Sequence, residues 1–444
     1  QFRPGHDDRT AREVDPLAAI TQPVDALGEI AVLERGVTQQ RVQRSGNFLG
    51  GERGKPLPQL LLGGVHVAQP TAEPIKIGIL DPLSSPYKTS SIHDVHGANV
   101  AVDLFNKRGG VLGRPVVILE ADDASNPETA IKAATKFVQD DQVDVLMGTF
   151  NADCALVVSE LAKKENKLFM VTGSLLPELT GAACSSHTFV FMPNASMMAQ
   201  AVVPHLVKAY GTRWYMLTTS SLDGKAMAQA MVTAGQAHGV EFVGETLVPF
   251  GATDFTAAFT AAKDKHPTLV VLNLYGWDLV HALKAYTKLD FAKEKIGVGG
   301  MIAGEQIGRP LGYANNAGIW GLIWDPKVNT EGSRQFIRAV VDKYNHTPTS
   351  RCYLGYAAMT QILEAIQRAG TTNAAALIKA LEGREFDGLK EGRSYFQASN
   401  HQHMQDVLVG EAYGKELGLG HYKILATVPG DRLAAPVHAG VCQL

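Results

Sequence analysis

The sequence predicts an α/β fold of two similar lobes, each built on a parallel sheet covered by helices. Three observations predict it. From Ile75 onward, short apolar runs alternate with segments of helical period, the pattern of a doubly covered parallel sheet. At Met197 the same alternation starts again. Between them, residues 144–173 read as strand, turn, helix and strand, so two neighbouring parallel strands end in small polar residues at one edge of a sheet. That edge is where open α/β sheets bind ligands, and helix N-termini there offer unpaired N–H groups to an anion.

The elements follow in order. Residues 75–80 form an apolar strand, 81–91 a polar loop containing Tyr87, and 93–106 a helix with Val95, Ala98, Val102 and Phe105 on one side. Gly109, Gly110 and Gly113 release the chain into a turn before a strand at 115–121. Pro127 suits the first turn of a helix reaching Gln139. Residues 143–148 are a buried strand, Asn151 to Asp153 a polar turn that caps a helix, and 168–171 the next strand, closed by Thr172, Gly173 and Ser174. In the second unit, helices at 197–210, 224–238, 254–265 and 278–288 alternate with strands at 213–218, 241–247, 268–274, 296–300 and 318–322. Helices at 335–344 and 353–368 come too late to complete that unit and are expected to return to the first lobe. Short strands follow Tyr395.

Composition narrows the function. A chain of 444 residues has room for two or three domains, and a net charge of -3 gives no electrostatic case for nucleic acid or an anionic membrane. Residues 1–72 lack a sustained period and read as a poorly ordered leader; 56–72 resemble a broken secretory signal. Cys154, Cys184, Cys352 and Cys442 lack zinc-type spacing and fit either one disulfide in an exported protein or buried free thiols. His93 with His96, and His401 with His403, lack a third ligand at metal spacing and read as solvated. The glycines at 109–113 follow a helix and precede a strand, the reverse of a phosphate loop. With no set of nucleophile, base and orienter, the chain is expected to be no enzyme and to carry no cofactor or metal.

Several stretches, together and in order, resemble a known family. They are the opening strand Ile75-Lys-Ile-Gly-Ile-Leu, the helix end Phe105-Asn-Lys-Arg-Gly-Gly-Val-Leu-Gly-Arg-Pro, the turn Glu120-Ala-Asp-Asp-Ala-Ser-Asn-Pro, Val143-Asp-Val-Leu-Met-Gly, and Pro177-Glu-Leu-Thr. From about residue 74 to the C-terminus the chain is similar to the periplasmic solute-binding proteins of branched-chain amino-acid-type ABC transporters, with the type I periplasmic-binding fold. The resemblance implies two Rossmann-like lobes joined by three hinge crossings near Pro193, Asp325 and Ser399, with lobe one at 73–193 and 326–398 and lobe two at 194–325 and 399–444. It also implies a monomer in the periplasm that captures a small carboxylate-bearing solute and presents it to membrane permease subunits. A ligand-sensing module of the same fold is the alternative.

The resemblance also places a pocket. Asn151, Ala152, Gly173 and Ser174 match the turns that hold the ligand carboxylate in relatives. Ala152 stands where relatives often have Ser, so only its N–H would serve. Asp223 falls where relatives usually have an aromatic residue, and Tyr275 matches a pocket tyrosine; Tyr87 is expected to cover the pocket. The glutamate that binds the amino group in relatives would fall near Gly300 or Met301 and is missing. Two readings follow: Asp223, or a displaced Glu305, replaces it, or the ligand has no α-amino group.

Overall fold

Strand β1 (Ile75–Asp81) is buried along nearly its whole length, as an apolar run sandwiched between helical layers must be. The computed structural model describes residues 72–85, 87–414, 420–433, 442 and 444; the expected leader at 1–72 lies almost wholly outside the described residues. Around β1 a five-stranded parallel sheet forms in the order β2-β1-β3-β4-β5, with β2 at Val116–Asp122, β3 at Val145–Gly148, β4 at Leu168–Val171 and β5 at Thr188–Val190. Its connecting helices are α1 (Lys88–Asn106), α2 (Pro127–Gln139) and α3 (Ala152–Lys164). Asn126 caps α2 by accepting from the Thr129 N–H, and Pro127 occupies its first position.

The chain then builds a second sheet. Helix α4 (Ala195–Tyr210) leads into β6 (Arg213–Thr219), α5 (Leu222–Gln236), β7 (Glu241–Val248), α6 (Thr256–Lys263), β8 (Leu269–Asn273), α7 (Gly276–Lys288), β9 (Gly297–Ala303), α8 (Glu305–Leu311) and β10 (Ile319–Leu322). Helices α9 (Glu331–Tyr344), α10 (Ser350–Ala369) and α11 (Ala374–Leu381) return to the first sheet, α9 and α10 against α1 and α11 against β4. Gly97 and Gly355 let α1 and α10 meet backbone to backbone; a Cβ at either would run into Cys352 or Asp94 of the other helix.

The short pair β11 (Tyr395–Phe396) and β12 (His403–Met404) precedes β13 (Val407–Ala412) and β14 (Tyr422–Val428). The second sheet runs β14-β13-β10-β9-β8-β6-β7, and β13 and β14 are antiparallel additions to an otherwise parallel sheet. The chain therefore passes between the sheets after β5, after β10 and after β12. The last passage lies at 405–406 rather than near Ser399, because Gln402 still bridges to Val190 of β5.

Side chains tie these passages to one another. The buried Lys390 ammonium donates to Ile323 O at 2.9 Å, to Gln405 Oε1 at 2.7 Å and to Asp406 O. Gln405 Nε2 donates to Phe191 O at 2.6 Å. Burial pushes the Lys390 amine down to about 7. His401 and His403 are not solvated: both are fully buried here, His401 against Glu382 at 2.9 Å and His403 against Phe191 O at 3.1 Å.

Cys184 and Cys442 form a disulfide across a sequence separation of 258, while Cys154 and Cys352 are buried free thiols. Both readings of the cysteines thus hold, each for one pair.

Candidate functional site

The strands β3 and β4 end side by side, and the turns at 149–151 and 172–175 follow them at the same edge. Ala152 opens α3, so its N–H has no acceptor within the helix and, with the helix dipole behind it, favours an anion. An anion is present there, and it belongs to the protein. Asp223, in the first turn of α5 from the second sheet, places its carboxylate between the two turns. Its Oδ2 accepts from the Ala152 N–H at 2.8 Å. Its Oδ1 accepts from the Leu175 N–H at 2.8 Å and from the Ser174 hydroxyl at 3.0 Å. Ser174 Oγ in turn accepts from the Leu176 N–H at 3.1 Å, which aims its proton at Asp223. Burial pushes the Asp223 carboxyl up to about 6, although the N–H and O–H donors pull the other way.

This corrects the expectation for the cradle. The donors expected to meet a ligand carboxylate are taken by Asp223. Asp223 spends most of its accepting capacity within the protein, two bonds on Oδ1 and one on Oδ2. Glu305 is committed elsewhere: its carboxylate accepts from the His421 N–H at 2.7 Å and faces His421 Nδ1 at 2.8 Å.

A small cavity of about 40 Å³ lies beside this latch, between elements of both sheets. Leu175, Met192, Leu279, Ile302, Ile307 and Ile323 supply apolar wall. Gly173, Asp223 and Tyr275 also line it. Tyr275 sits at the N-cap of α7 and donates to Ser221 Oγ at 3.1 Å; Ser221 itself caps α5 through Gly224. The remaining predicted residues do not line the cavity. Ala152 and Ser174 donate to Asp223, and Asn151 is the buried N-cap of α3. Met301 is buried within β9, and its neighbours Ile302 and Ala303 face the cavity instead. Tyr87 is a packing ring rather than a lid. It is fully buried among Phe150, Phe250 and Tyr275, with centroids 5.2, 4.6 and 5.9 Å away, and Gly276 leaves room for it.

Sequence reasoning missed the cation. Arg351, second residue of α10, lines the cavity and is 5% exposed. Its Nη2 donates to Asp94 Oδ2 at 2.7 Å and its Nη1 to Thr172 O at 3.1 Å, with the guanidinium carbon 4.9 Å from the Phe150 ring centre. Its Nε has no hydrogen-bond partner. Asp94 is held further by the Thr172 hydroxyl at 2.7 Å. Burial and the neighbouring Asp94 push the Asp81 carboxyl well above the usual range; burial raises Asp94 as well, but Arg351, paired with it at 2.7 Å, pulls it back. One sequence signal was available: a basic residue in a helix's first turn opposes the dipole and needs another reason to be there. Ser90 and Gln306 complete the polar wall.

The fold and this interface site are those of a solute-binding protein. The family described as "Periplasmic binding protein" matches residues 74–416, and the chain belongs to it. It is 27% identical over 223 residues to the Leu/Ile/Val-binding protein BraC3 of Rhizobium johnstonii, a match spanning 50% of this chain and 60% of that relative. Among solved structures, an amino acid ABC transporter substrate-binding protein from Pseudomonas fluorescens Pf-5 superposes with a TM-score of 0.77 at 22% identity, covering 84% of this chain and 100% of that one. An ABC transporter solute-binding protein from R. palustris, solved in complex with benzoate, superposes with a TM-score of 0.74 at 20% identity, covering 84% and 100%.

Proposed function

We propose that the protein is the extracytoplasmic solute-binding component of an ABC importer, and that its ligand is a compact organic acid or amide without an α-amino group. The observation that carries the ligand class is the occupied cradle. Asp223 supplies the carboxylate that a ligand would bring, and its oxygens are largely taken by the Ala152, Ser174 and Leu175 donors, which leaves little capacity for an ammonium. The cation in the cavity wall is Arg351, whose guanidinium suits an oxygen of a carboxylate or amide. The apolar walls suit a short hydrocarbon body. The relative crystallised with benzoate supports the wider class, an acid with no amino group.

Capture proceeds by hinge closure. Residues from both sheets wall the cavity, so only the closed arrangement lets both contact the ligand, and the ligand stabilises that form. The lobes are the two sheets with their helices, and the hinge is the set of three passages clasped by Lys390. A disulfide fits an oxidising compartment, which supports export to the periplasm. Permease subunits are the partners this role requires.

The test is a thermal-shift screen of protein freed of ligand by unfolding and refolding. The panel holds branched-chain amino acids, short amides, urea, and aliphatic and aromatic carboxylates. A true ligand at 100 times its Kd adds about 2.7 kcal/mol of stability. Hits among short acids or amides support the reading; a screen that responds to none of these classes overturns it.

A further inference from the structure

His93 and His96 lie three apart on α1 and so share one face of that helix. The sequence shows no third ligand near them, but the fold brings one. Helix α9 ends at Asn345, whose left-handed backbone (φ 54°) turns the chain back toward α1 and delivers His346. One ring nitrogen from each of the three histidines lies within 4.8 Å of the other two. His96 Nδ1 and His346 Nε2 are 3.2 Å apart. Two nitrogens bound to one tetrahedral zinc at about 2.0–2.1 Å stand about 3.3–3.4 Å apart, so this pair already has the spacing of a coordination edge.

Each ring is oriented by a second contact. His346 Nδ1 lies 3.0 Å from Thr347 O, and a proton held there makes Nε2, the atom facing His96 Nδ1, the metal-binding nitrogen. The His96 ring stacks on Tyr344 with centroids 3.8 Å apart. His93 has its Nδ1 4.0 Å from Cys352 Sγ, which leaves its Nε2 for a metal.

We propose that His93, His96 and His346 form a binding site for a divalent transition-metal ion of the zinc class, three imidazoles with an open fourth position. Imidazole donors select zinc, copper or nickel over magnesium and calcium. The loop so fixed also reaches the cavity. Thr347 O accepts from Arg309 of α8, and Ser350 Oγ donates to the cavity residue Gln306 at 2.9 Å.

The test uses the full chain with its disulfide intact. Zinc chloride is titrated calorimetrically, with magnesium and calcium as controls, and cobalt(II) reports geometry by its visible spectrum. The proposal expects a zinc site that His346→Ala and His96→Gln each weaken by at least about tenfold, no response to magnesium or calcium, and intense tetrahedral cobalt bands. Melting curves without metal check that both variants fold. Should one unfold, the wild-type cobalt spectrum decides, because three histidines with one open position give tetrahedral bands and scattered surface histidines give weak octahedral ones. Wild-type zinc affinity in both variants, or no zinc binding at all, overturns it; the cluster is then only the packing of α1 against the α9–α10 corner.

Discussion

Replacing Asp223 by Ala should turn the latch into an open receptor for a free carboxylate. The substitution removes one carboxylate and leaves the Ala152 and Leu175 N–H groups and the Ser174 hydroxyl without their acceptor. Each buried donor left unpaired costs about 1–3 kcal/mol, so the closed arrangement loses at least about 3 kcal/mol, more than a hundredfold in the closed-to-open ratio. Opening rehydrates the donors, so the ligand-free variant is expected to be open rather than unfolded. Acetate has the chemistry of the missing group. At 100 times its Kd it should return about 2.7 kcal/mol and close the variant again. Small-angle scattering gives the closure and a melting curve the stability, with sodium chloride at matched ionic strength as control. Wild type should be indifferent to acetate at the cradle. If Asp223→Ala is as compact as wild type without acetate, or if acetate stabilises both alike, the latch assignment fails.

Three further outcomes are expected. Arg351→Met leaves Asp94 as a buried charge without its partner and should cost about 3–5 kcal/mol, whereas Arg351→Lys should keep the fold and lose ligand affinity; chemical denaturation and calorimetry separate the two. Reducing the Cys184–Cys442 disulfide, which spans 258 residues of chain, should lower stability by up to about 5 kcal/mol in the chain-entropy account, read as a fall in Tm with dithiothreitol that a Cys442→Ser protein does not show. The Asp223 carboxyl is raised on folding from 3.8 to about 6, so its protonated form contributes stability that is full below about pH 4 and lost as pH rises through 6. Relative to Asp223→Asn, which does not titrate, wild type should therefore lose about 2 kcal/mol between pH 4 and pH 7 in denaturant titrations.

Much of the fold was legible because parallel strands buried on both faces announce themselves as short apolar runs between helical periods. The strand at 168–171 falls where the apolar run does, and the late helices α9 and α10 return to the first sheet. Three kinds of feature escaped. Strand β5 is only three residues long, and α8 contains Pro310 and Gly308, so neither carries a period. Strands β13 and β14 join antiparallel, which no local pattern states. The third passage is displaced because Gln402 and His403 bond to the β5 side through groups on Val190, Phe191 and Met192.

The site was legible as a place and not as a set of contacts. Strand ends flag the turns at 149–151 and 172–175, and Asp223 and Tyr275 were singled out from their positions. That Asp223 reaches 71 residues back to Ala152 and fills the cradle is a property of the closed arrangement of two sheets. Arg351 comes from a helix 128 positions further on than Asp223 and is recruited by Asp94 and Thr172, a pairing only the fold creates. His346 joins His93 and His96 for the same reason, across a sequence separation of 250 from His96.

The central claim is that the carboxylate cradle is occupied from within and that the ligand carries no α-amino group. The most direct measurement compares matched pairs by calorimetry on ligand-free protein: propionate against alanine, and isovalerate against valine. Each pair differs only by the amino group. The account predicts that the acid binds at least about tenfold tighter than its amino acid, a difference of about 1.4 kcal/mol, because the Asp223 oxygens are largely taken by protein donors. Tighter binding of alanine or valine would mean that an acidic oxygen is free after all, and that Asp223 leaves the cradle when the ligand arrives.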